Sequence, residues 1–552
     1  MDLEHPLYRL ARAHGLQAGY VDYTGEARGA DPEVLRAVLQ ALGAGVDEPG
    51  LQAQIDEIER ARWSTPIEPV LVAWDGQVTA VVRVPKAFAD RRVVLRVDGE
   101  GGTVLEHASA LADHAVVGQA HVGGTDYVAF AITPAGPLAL GYHRLEVEVD
   151  GRAGEHALVL SAPRRVWCPP DERNHHGVFV PLYALHSERS LGVGNLGDLG
   201  DLYGWVEKHR GSVVATLPLL AGYFDEPCDP SPYTPCSRLA WNELYLDVEA
   251  MPELADCERA RTRLDDSDTR ALVARLRSQP LVDYRAEMSL RRRILDPLAA
   301  HVFERGGPRR AALEAFAAER PEIVAYSRFR AYQERMHATW EAWPAEARSG
   351  TLRDRDVDPA IMRVHLYAQF GMHEQLGALA ERMRGGGLGL YLDLPVGVHG
   401  HGFDPWVERD AFVRGLATGA PPDILFAGGQ NWAFPPLHPE RTRIDGHRYF
   451  IAMIRNHLRY ASVLRIDHVM GLHRLYVIPQ GASAKHGIYL RYPADELYAI
   501  LSIESHRSGT LLVGEDLGTV PPEVHAAMAE HGVHGMHVVE YGARAEGRAL
   551  EP

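Results

Sequence analysis

The sequence predicts a multidomain α/β protein in which a parallel β-sheet or barrel follows a β-sandwich and a short helical segment. Residues 1–62 have helical periodicity, with a helix start at Asp31-Pro32-Glu33. Residues 63–165 contain short β-rich runs separated by Asp-Gly and Gly-Gly turns, which is typical of a sandwich. In residues 166–552, strand-like and helical stretches alternate, which favours βα units and a parallel sheet.

Six apolar runs in the last region are candidate strands. They are residues 177–181, 213–218, 388–396, 462–467, 511–514 and 535–540. Residues from 252 to about 360 interrupt this order with Arg-, Glu- and Ala-rich helical stretches, which predicts a helical insertion. Eight strands close a (β/α)8 barrel, so we expect a barrel that is incomplete at its C-terminal end. We therefore expect these 552 residues to be part of a longer reading frame, because an unclosed barrel exposes strand edges.

Composition narrows the class of partner. The 57 basic and 74 acidic residues give a formal net charge of −17, and the two signs are interleaved, which disfavours nucleic acid and anionic membranes. No apolar stretch reaches the ~18 residues of a membrane span, and the N-terminus lacks a basic region before an apolar core, so we expect a cytoplasmic protein. The 4 cysteines show no CxxC spacing, which disfavours a disulfide framework or zinc cluster. The sequence leaves the oligomeric state open.

An acidic residue, Asp467, follows the apolar run Ala461–Leu464 within Arg465-Ile466-Asp467-His468. A carboxylate at that point lies where a buried strand reaches a site. Because Arg465 and His468 flank it, we expect Asp467 to stay ionised near neutrality, which suits a nucleophile or a stabiliser of positive charge. The alternative is a structural ion pair.

A second apolar run, Leu511-Leu512-Val513, leads to Glu515. Neighbouring strands lie ~4.8 Å apart, which is close to the ~5–5.5 Å between the carboxylates of a retaining glycosidase. The pair therefore favours a double displacement, in which Asp467 attacks the anomeric carbon and Glu515 donates and then removes a proton. Asp516 is the structural alternative to Glu515.

Sugar-binding candidates lie in turn-rich segments. Asp404-Pro405-Trp406 and Gly428-Gly429-Gln430-Asn431-Trp432 offer aromatic faces with carboxylate or amide groups, and a proline-framed loop presents Tyr233. The alternative is that each Trp covers the core, as loop Trp residues more often do.

Histidines near Asp393 and Asp404 support a hypothesis from another class. His399 and His401, with His175-His176 elsewhere, could bind zinc or manganese in a metal-dependent hydrolase. Their spacing does not match HExxH. This mismatch disfavours a metal site. We expect no metal ion, and we also expect no organic cofactor.

Several segments closely resemble bacterial 4-alpha-glucanotransferases, the amylomaltases. The strongest are Leu464–Leu472, Gly487–Pro493 and Gly514–Pro521, in the same order and spacing as in the family. Shorter ones are Leu182–Ser187, Ser231–Arg238, Trp241–Tyr245, Asp393–Pro395, Pro421–Asp423 and Gly429–Trp432. The resemblance covers about residues 170–541, and the N-terminal extension is similar to that of the longer members.

The resemblance implies a retaining (β/α)8-barrel enzyme of the alpha-amylase superfamily that transfers α-1,4-glucan segments between maltooligosaccharides. Asp467 would be the nucleophile and Glu515 the acid/base. Arg465 and His468 would orient the nucleophile and hold hydroxyl groups. The remaining family positions that would line sugar subsites are Asp393, Tyr233, Asp404, Trp406, Asp423, Gln430 and Trp432.

The chain also departs from the family pattern. His401 stands where many members carry an acid, Met470 where an arginine is common, and Ala433 where a glycine follows the Trp. The family's third carboxylate, in a Thr-His-Asp segment, has no counterpart after Glu540-Tyr541. These departures leave a second hypothesis, a weakly active or non-catalytic α-glucan-binding protein.

Overall fold

The computed structural model describes residues 4–22, 24–102, 104–170, 174–226 and 228–542. The chain divides into two compact units. Unit 1 comprises Met1–Cys168, Val413–Ile451 and Ile466–Pro552, and unit 2 comprises Pro169–Phe412 and Ala452–Arg465. None of the helices in the described ranges combines the length and apolar character that a membrane span requires.

A run of strands, a run of helices and stretches in which the two alternate follow one another along the chain. In chain order, the strands are β1 Gly19–Val21, β2 Ala27–Gly29, β3 Val70–Trp74, β4 Ala80–Pro85, β5 Arg92–Gly99, β6 Val104–Ala110, β7 Ala115–Val122, β8 Thr125–Ile132, β9 Gly141–Val149, β10 Arg152–Ala162, β11 Gly177–Phe179, β12 Val213–Ala215, β13 Gly389–Leu394, β14 Leu416–Ala420, β15 Gln430–Asn431, β16 Val463–Ile466, β17 Arg474–Pro479, β18 Ile488–Arg491 and β19 Leu511–Gly514. The helices are α1 Pro6–Ala13, α2 Pro32–Ala41, α3 Leu51–Ser64, α4 Leu196–Lys208, α5 Glu258–Asp265, α6 Ser267–Ser278, α7 Tyr284–Arg305, α8 Gly307–Glu319, α9 Pro321–Met336, α10 Pro359–Gly386, α11 Phe403–Val407, α12 Pro439–Ile444, α13 Arg448–Leu458, α14 Ala494–Ser508, α15 Pro522–His531 and α16 Val539–Gly542.

In unit 1, β3 to β10 form a sandwich of two sheets. The five-stranded sheet has the order β3-β10-β9-β5-β6, and the three-stranded sheet has the order β4-β8-β7. Alternate residues point inward, so that Leu145 lies opposite Val97 in the register and both are buried in the core between the sheets. The Asp150-Gly151 turn joins β9 to β10 with both residues at positive φ, 54° and 74°, as a two-residue hairpin requires.

A second antiparallel sheet of unit 1 has the order β15-β14-β17-β18. Its apolar face and helices α1 to α3 share one core, in which Leu39 is buried together with Leu416 and Val477. Helix α2 begins where the sequence predicts, because the Asp31 side chain accepts a hydrogen bond of 2.8 Å from the Glu33 N–H and Pro32 occupies the first turn.

Unit 2 contains parallel strands with helices between them. Gly177 in β11 lies opposite Val213 in β12, which lies opposite Gly389 in β13. The Ser462 N–H, just before β16, donates to the Leu390 carbonyl at 2.8 Å. Helices α5 to α9 fall within the predicted helical insertion. Strands appear at five of the six predicted places, while closure into an eight-stranded barrel stays a prediction.

The sixth predicted strand, residues 535–540, is wrong. A single residue, His534, forms an isolated parallel bridge to Val513 in β19. The Met536 N–H instead donates to Asp516 Oδ1 at 2.8 Å, and α16 begins at Val539. The Asp516 side chain therefore takes up a main-chain donor that a continuing strand would use, and this contact supports the structural role weighed for Asp516.

Candidate active site

The backbone of Glu515 is hydrogen-bonded to Ile466 and Val469, the residues on either side of Asp467-His468. The Glu515 N–H donates to the Ile466 carbonyl at 2.9 Å, and the Val469 N–H donates to the Glu515 carbonyl at 3.0 Å. These bonds bracket Asp467-His468. The two acids that the sequence pairs are therefore on adjacent backbone segments, at the ends of β16 and β19.

Main-chain donors hold the Glu515 carboxylate. Its Oε2 accepts a hydrogen bond of 3.0 Å from the His468 N–H, and its Oε1 accepts one of 2.9 Å from the Leu517 N–H. Both oxygens thus have a main-chain donor, and these two hydrogen bonds help to fix the orientation of the side chain. Sequence patterns do not reveal such contacts.

The imidazole of His468 lies beside Trp432. The two rings meet edge to face, with centroids 5.2 Å apart and an interplanar angle of 80°. Burial lowers the pKa of His468 to about 4, because a charged ring would lose its hydration there. At neutral pH the ring is therefore uncharged and can donate one hydrogen bond and accept another.

The loop between β14 and β15 carries Asp423, and Gln430 begins β15. Asp423 Oδ1 accepts hydrogen bonds from the Leu425 and Phe426 N–H groups, at 2.8 and 2.6 Å. Gln430 Oε1 accepts a hydrogen bond of 3.2 Å from Trp432 Nε1. Asp423 thus orders its own loop, in which Ile424 and Leu425 are 81% and 83% exposed, an apolar surface that sequence reasoning missed.

In unit 2, Asp393 is bound by two side chains from distant parts of the chain. Arg465 Nη1 lies 2.7 Å from Asp393 Oδ1 and 2.9 Å from Oδ2. The Tyr233 hydroxyl donates to Oδ2 at 2.8 Å. The structure therefore brings together three of the residues that the sequence proposes for substrate binding.

Asp404 and Trp406 do not face a cleft, contrary to the prediction from their turn-rich segment. Asp404 is fully buried and accepts hydrogen bonds from Ser237 Oγ at 2.5 Å and the Arg238 N–H at 2.7 Å. Trp406 is 1% exposed, packs on Phe329 and donates its Nε1–H to the Ala347 carbonyl at 2.8 Å. The segment folds into the short helix α11, whose polar groups are satisfied inside the core.

Comparison of the sequence with family models shows which known proteins the chain is similar to. The sequence model of the 4-alpha-glucanotransferase family matches residues 180–552, and that of the MalQ N-terminal beta sandwich domain matches residues 66–163. This chain belongs to the 4-alpha-glucanotransferase family. The predicted family, fold class and enzyme class are therefore confirmed.

Individual members of the 4-alpha-glucanotransferase family are similar over most of the chain. The enzyme of Mycobacterium tuberculosis (strain ATCC 25618 / H37Rv) is 32% identical over 570 residues, which cover 98% of this chain and 75% of the relative. That of Haemophilus influenzae is 34% identical over 434 residues, 74% of this chain and 61% of the relative. The crystal structure of amylomaltase from Corynebacterium glutamicum has a TM-score of 0.80 at 26% identity and covers 96% of this chain and 74% of that one.

The histidines behind the metal hypothesis have other neighbours in this 4-alpha-glucanotransferase. The His399 ring stacks on Tyr223 with centroids 3.9 Å apart, and burial lowers its pKa to about 4. His401 Nδ1 lies 2.8 Å from Glu341 Oε1, and His175 Nδ1 lies 2.8 Å from Ser212 Oγ. In the described ranges, no three His, Cys, Asp or Glu side chains are grouped to hold a metal ion.

Proposed function

We propose that this 4-alpha-glucanotransferase cleaves an α-1,4-glucan, binds the donor segment covalently through Asp467 and transfers it to a hydroxyl group of a glucan or glucose acceptor. Membership in the family supports transfer as the reaction. The observation that carries the assignment of the two acids is the pair of backbone bonds from Glu515 that bracket Asp467-His468. A retaining double displacement needs two carboxyl groups about 5–5.5 Å apart, and adjacent backbone segments allow such a separation.

The reaction then has two balanced steps. In the first, an Asp467 oxygen bonds to the anomeric carbon while the carbon–oxygen bond to the leaving sugar breaks and Glu515 protonates that oxygen. In the second, Glu515 takes the proton of the acceptor hydroxyl, whose oxygen replaces Asp467 at the anomeric carbon. Two inversions restore the α configuration.

The other side chains that the family resemblance singles out have separate proposed tasks. Arg465 and Tyr233 hold Asp393, whose carboxylate can accept hydrogen bonds from sugar hydroxyls. Trp432 and the neutral His468 ring offer an aromatic face and a hydrogen-bonding group, and Asp423 and Gln430 act as further subsite residues. For Asp404 and Trp406 we propose support from the core in place of direct sugar contact.

Incubation of the protein encoded by the complete reading frame with maltotriose tests the function. Glucose and longer oligomers should appear without any added metal or organic cofactor. Unchanged maltotriose, together with retention of the chain on an amylose column, would favour the alternative of a glucan-binding protein and contradict the transferase.

Two variants test the roles. Asp467→Asn should lose the covalent glucosyl-enzyme and nearly all turnover. Glu515→Gln should still be glycosylated by α-glucosyl fluoride, whose leaving group needs no proton. Equal labelling of Asp467→Asn and the parent by this donor would refute Asp467 as the nucleophile.

We also propose the domain division drawn from the sequence: residues 1–62, 63–165 and 166–552, with a helical insertion at about 252–360. Limited proteolysis should cut first near these boundaries. The cytoplasmic location remains a proposal that cell fractionation would test.

A further inference from the structure

The main chain of His468, as distinct from its ring, contacts the proposed acid/base. The His468 N–H lies 3.0 Å from Glu515 Oε2. On its two sides the backbone changes character, from strand β16, which ends at Ile466, to the 3₁₀ turn Val469–Leu472. The direction of this N–H therefore depends on how the chain turns at His468.

His468 makes this turn in the left-handed region, with φ 49° and ψ 61°. A side chain with a Cβ disfavours that conformation, although His adopts it more readily than most residues. The backbone is held on both sides, since the Ile466 carbonyl accepts from the Glu515 N–H and the Val469 N–H donates to the Glu515 carbonyl. Disfavoured conformations that the surroundings enforce are common at functional sites.

The contact has a chemical consequence for Glu515. With the Leu517 N–H on Oε1 and the His468 N–H on Oε2, both oxygens accept from main-chain donors. Hydrogen bonds to a carboxylate favour its ionised form over its protonated form. The ionised form is the one that activates the acceptor hydroxyl in the second step, whereas the first step needs the proton.

We propose that His468 is a positioning residue for Glu515, acting through its main-chain N–H in the left-handed conformation, and that this contact favours the acceptor-activating step. The inference rests on the proposed function, because it takes Glu515 as the acid/base. It assigns the backbone of residue 468 a task separate from the contacts of its ring.

The contact can be observed without any assay of activity. The dipeptide Asp-His occurs twice in the chain, at Asp113-His114 and Asp467-His468. Deuterated protein with ¹³C-carbonyl Asp and ¹⁵N-His therefore gives two amide signals selected by both labels. The signal of His468 should shift with pH in the parent and lose that shift in Glu515→Gln, while His114 serves as the internal reference. If the His468 amide signal shifted with pH in Glu515→Gln as it does in the parent, the proposal would be overturned, even if the parent enzyme transferred glucan as proposed.

Two variants that both lack the imidazole separate the backbone from the ring. Glycine takes the left-handed conformation freely, whereas β-branched valine strongly resists it. His468→Gly should therefore keep a kcat at least about tenfold above that of His468→Val. With α-glucosyl fluoride as donor and maltose as acceptor, the difference should persist, because transfer still needs Glu515 as base. Equal kcat values and equal pH profiles in the two variants would mean that only the imidazole of His468 contributes to activity, and this result would refute the proposal.

Discussion

Removing Arg465 from its pair with Asp393 should destabilise unit 2 strongly. Asp393 is 4% and Arg465 16% exposed, and a single nitrogen of Arg465 contacts both carboxylate oxygens at 2.7 and 2.9 Å. Arg465→Met keeps most of the apolar stem but leaves a buried carboxylate without this cation. Breaking a buried ion pair from one side costs about 3–5 kcal/mol.

Thermal unfolding followed by circular dichroism measures this loss. For a compact unit of this size, each kcal/mol corresponds to about 2–4 °C, so the Tm of the transition of unit 2 should fall by about 10 °C. Tyr233→Phe is the control, because it removes a hydroxyl hydrogen bond to the same carboxylate and leaves the ion pair in place. Its effect should be smaller, about 1.5–3 kcal/mol.

The double variant Arg465→Met/Asp393→Leu decides whether the charges are coupled. Apolar residues of similar volume can replace a buried pair at little cost, so the double variant should be more stable than Arg465→Met alone. The coupling would be refuted if the double variant lost as much free energy of unfolding as Arg465→Met and Asp393→Leu lose in sum. An Arg465→Met variant that loses less than Tyr233→Phe would also refute it.

Three further outcomes are expected. Ala433 has a φ of 62°, so Ala433→Gly should stabilise the protein by about 0.5–1 kcal/mol, seen as a higher Tm, and a lower Tm would contradict the strain. Burial lowers the pKa of His457 to about 4, so the unfolded chain binds its proton first as the pH falls. The stability that neutral His457 contributes is full above pH ~6.5 and is lost as the pH falls from ~6.5 to ~4. Over that range, the free energy of unfolding measured with denaturant should therefore fall by about 3 kcal/mol less in His457→Phe than in the parent. Parallel curves of this free energy against pH would contradict the prediction. Prolonged treatment with EDTA should leave maltotriose transfer unchanged, whereas a loss that added metal restores would revive the metal hypothesis.

The paired acids were accessible to sequence reasoning because each follows a short apolar run. Such runs form strands, and the residue after a strand lies at the edge of its sheet, so Asp467 and Glu515 could be placed without coordinates. The cap of α2 at Asp31 and the hairpin at Asp150-Gly151 were predictable for the same reason. In each case the residues that decide the conformation are neighbours in the chain.

Contacts between distant segments were not predictable in this way. Trp406 has the sequence surroundings of an exposed loop residue and is buried because Phe329 packs on it, 77 positions earlier in the chain. The sixth predicted strand does not form, because the Met536 N–H donates to the Asp516 side chain and not to a neighbouring strand. The periodicity of the sequence does not indicate such a contact.

The sequence by itself determined the family and the α/β class, and it supplied the proposal that Asp467 and Glu515 carry the chemistry, because these depend on residue types and on spacing along the chain. Only the tertiary structure decided that Arg465 and Tyr233 share the carboxylate of Asp393, that Asp404 is enclosed in the core, and that His468 directs its N–H at Glu515. Burial and hydrogen-bond direction depend on which distant segments meet, and they are settled when the chain packs.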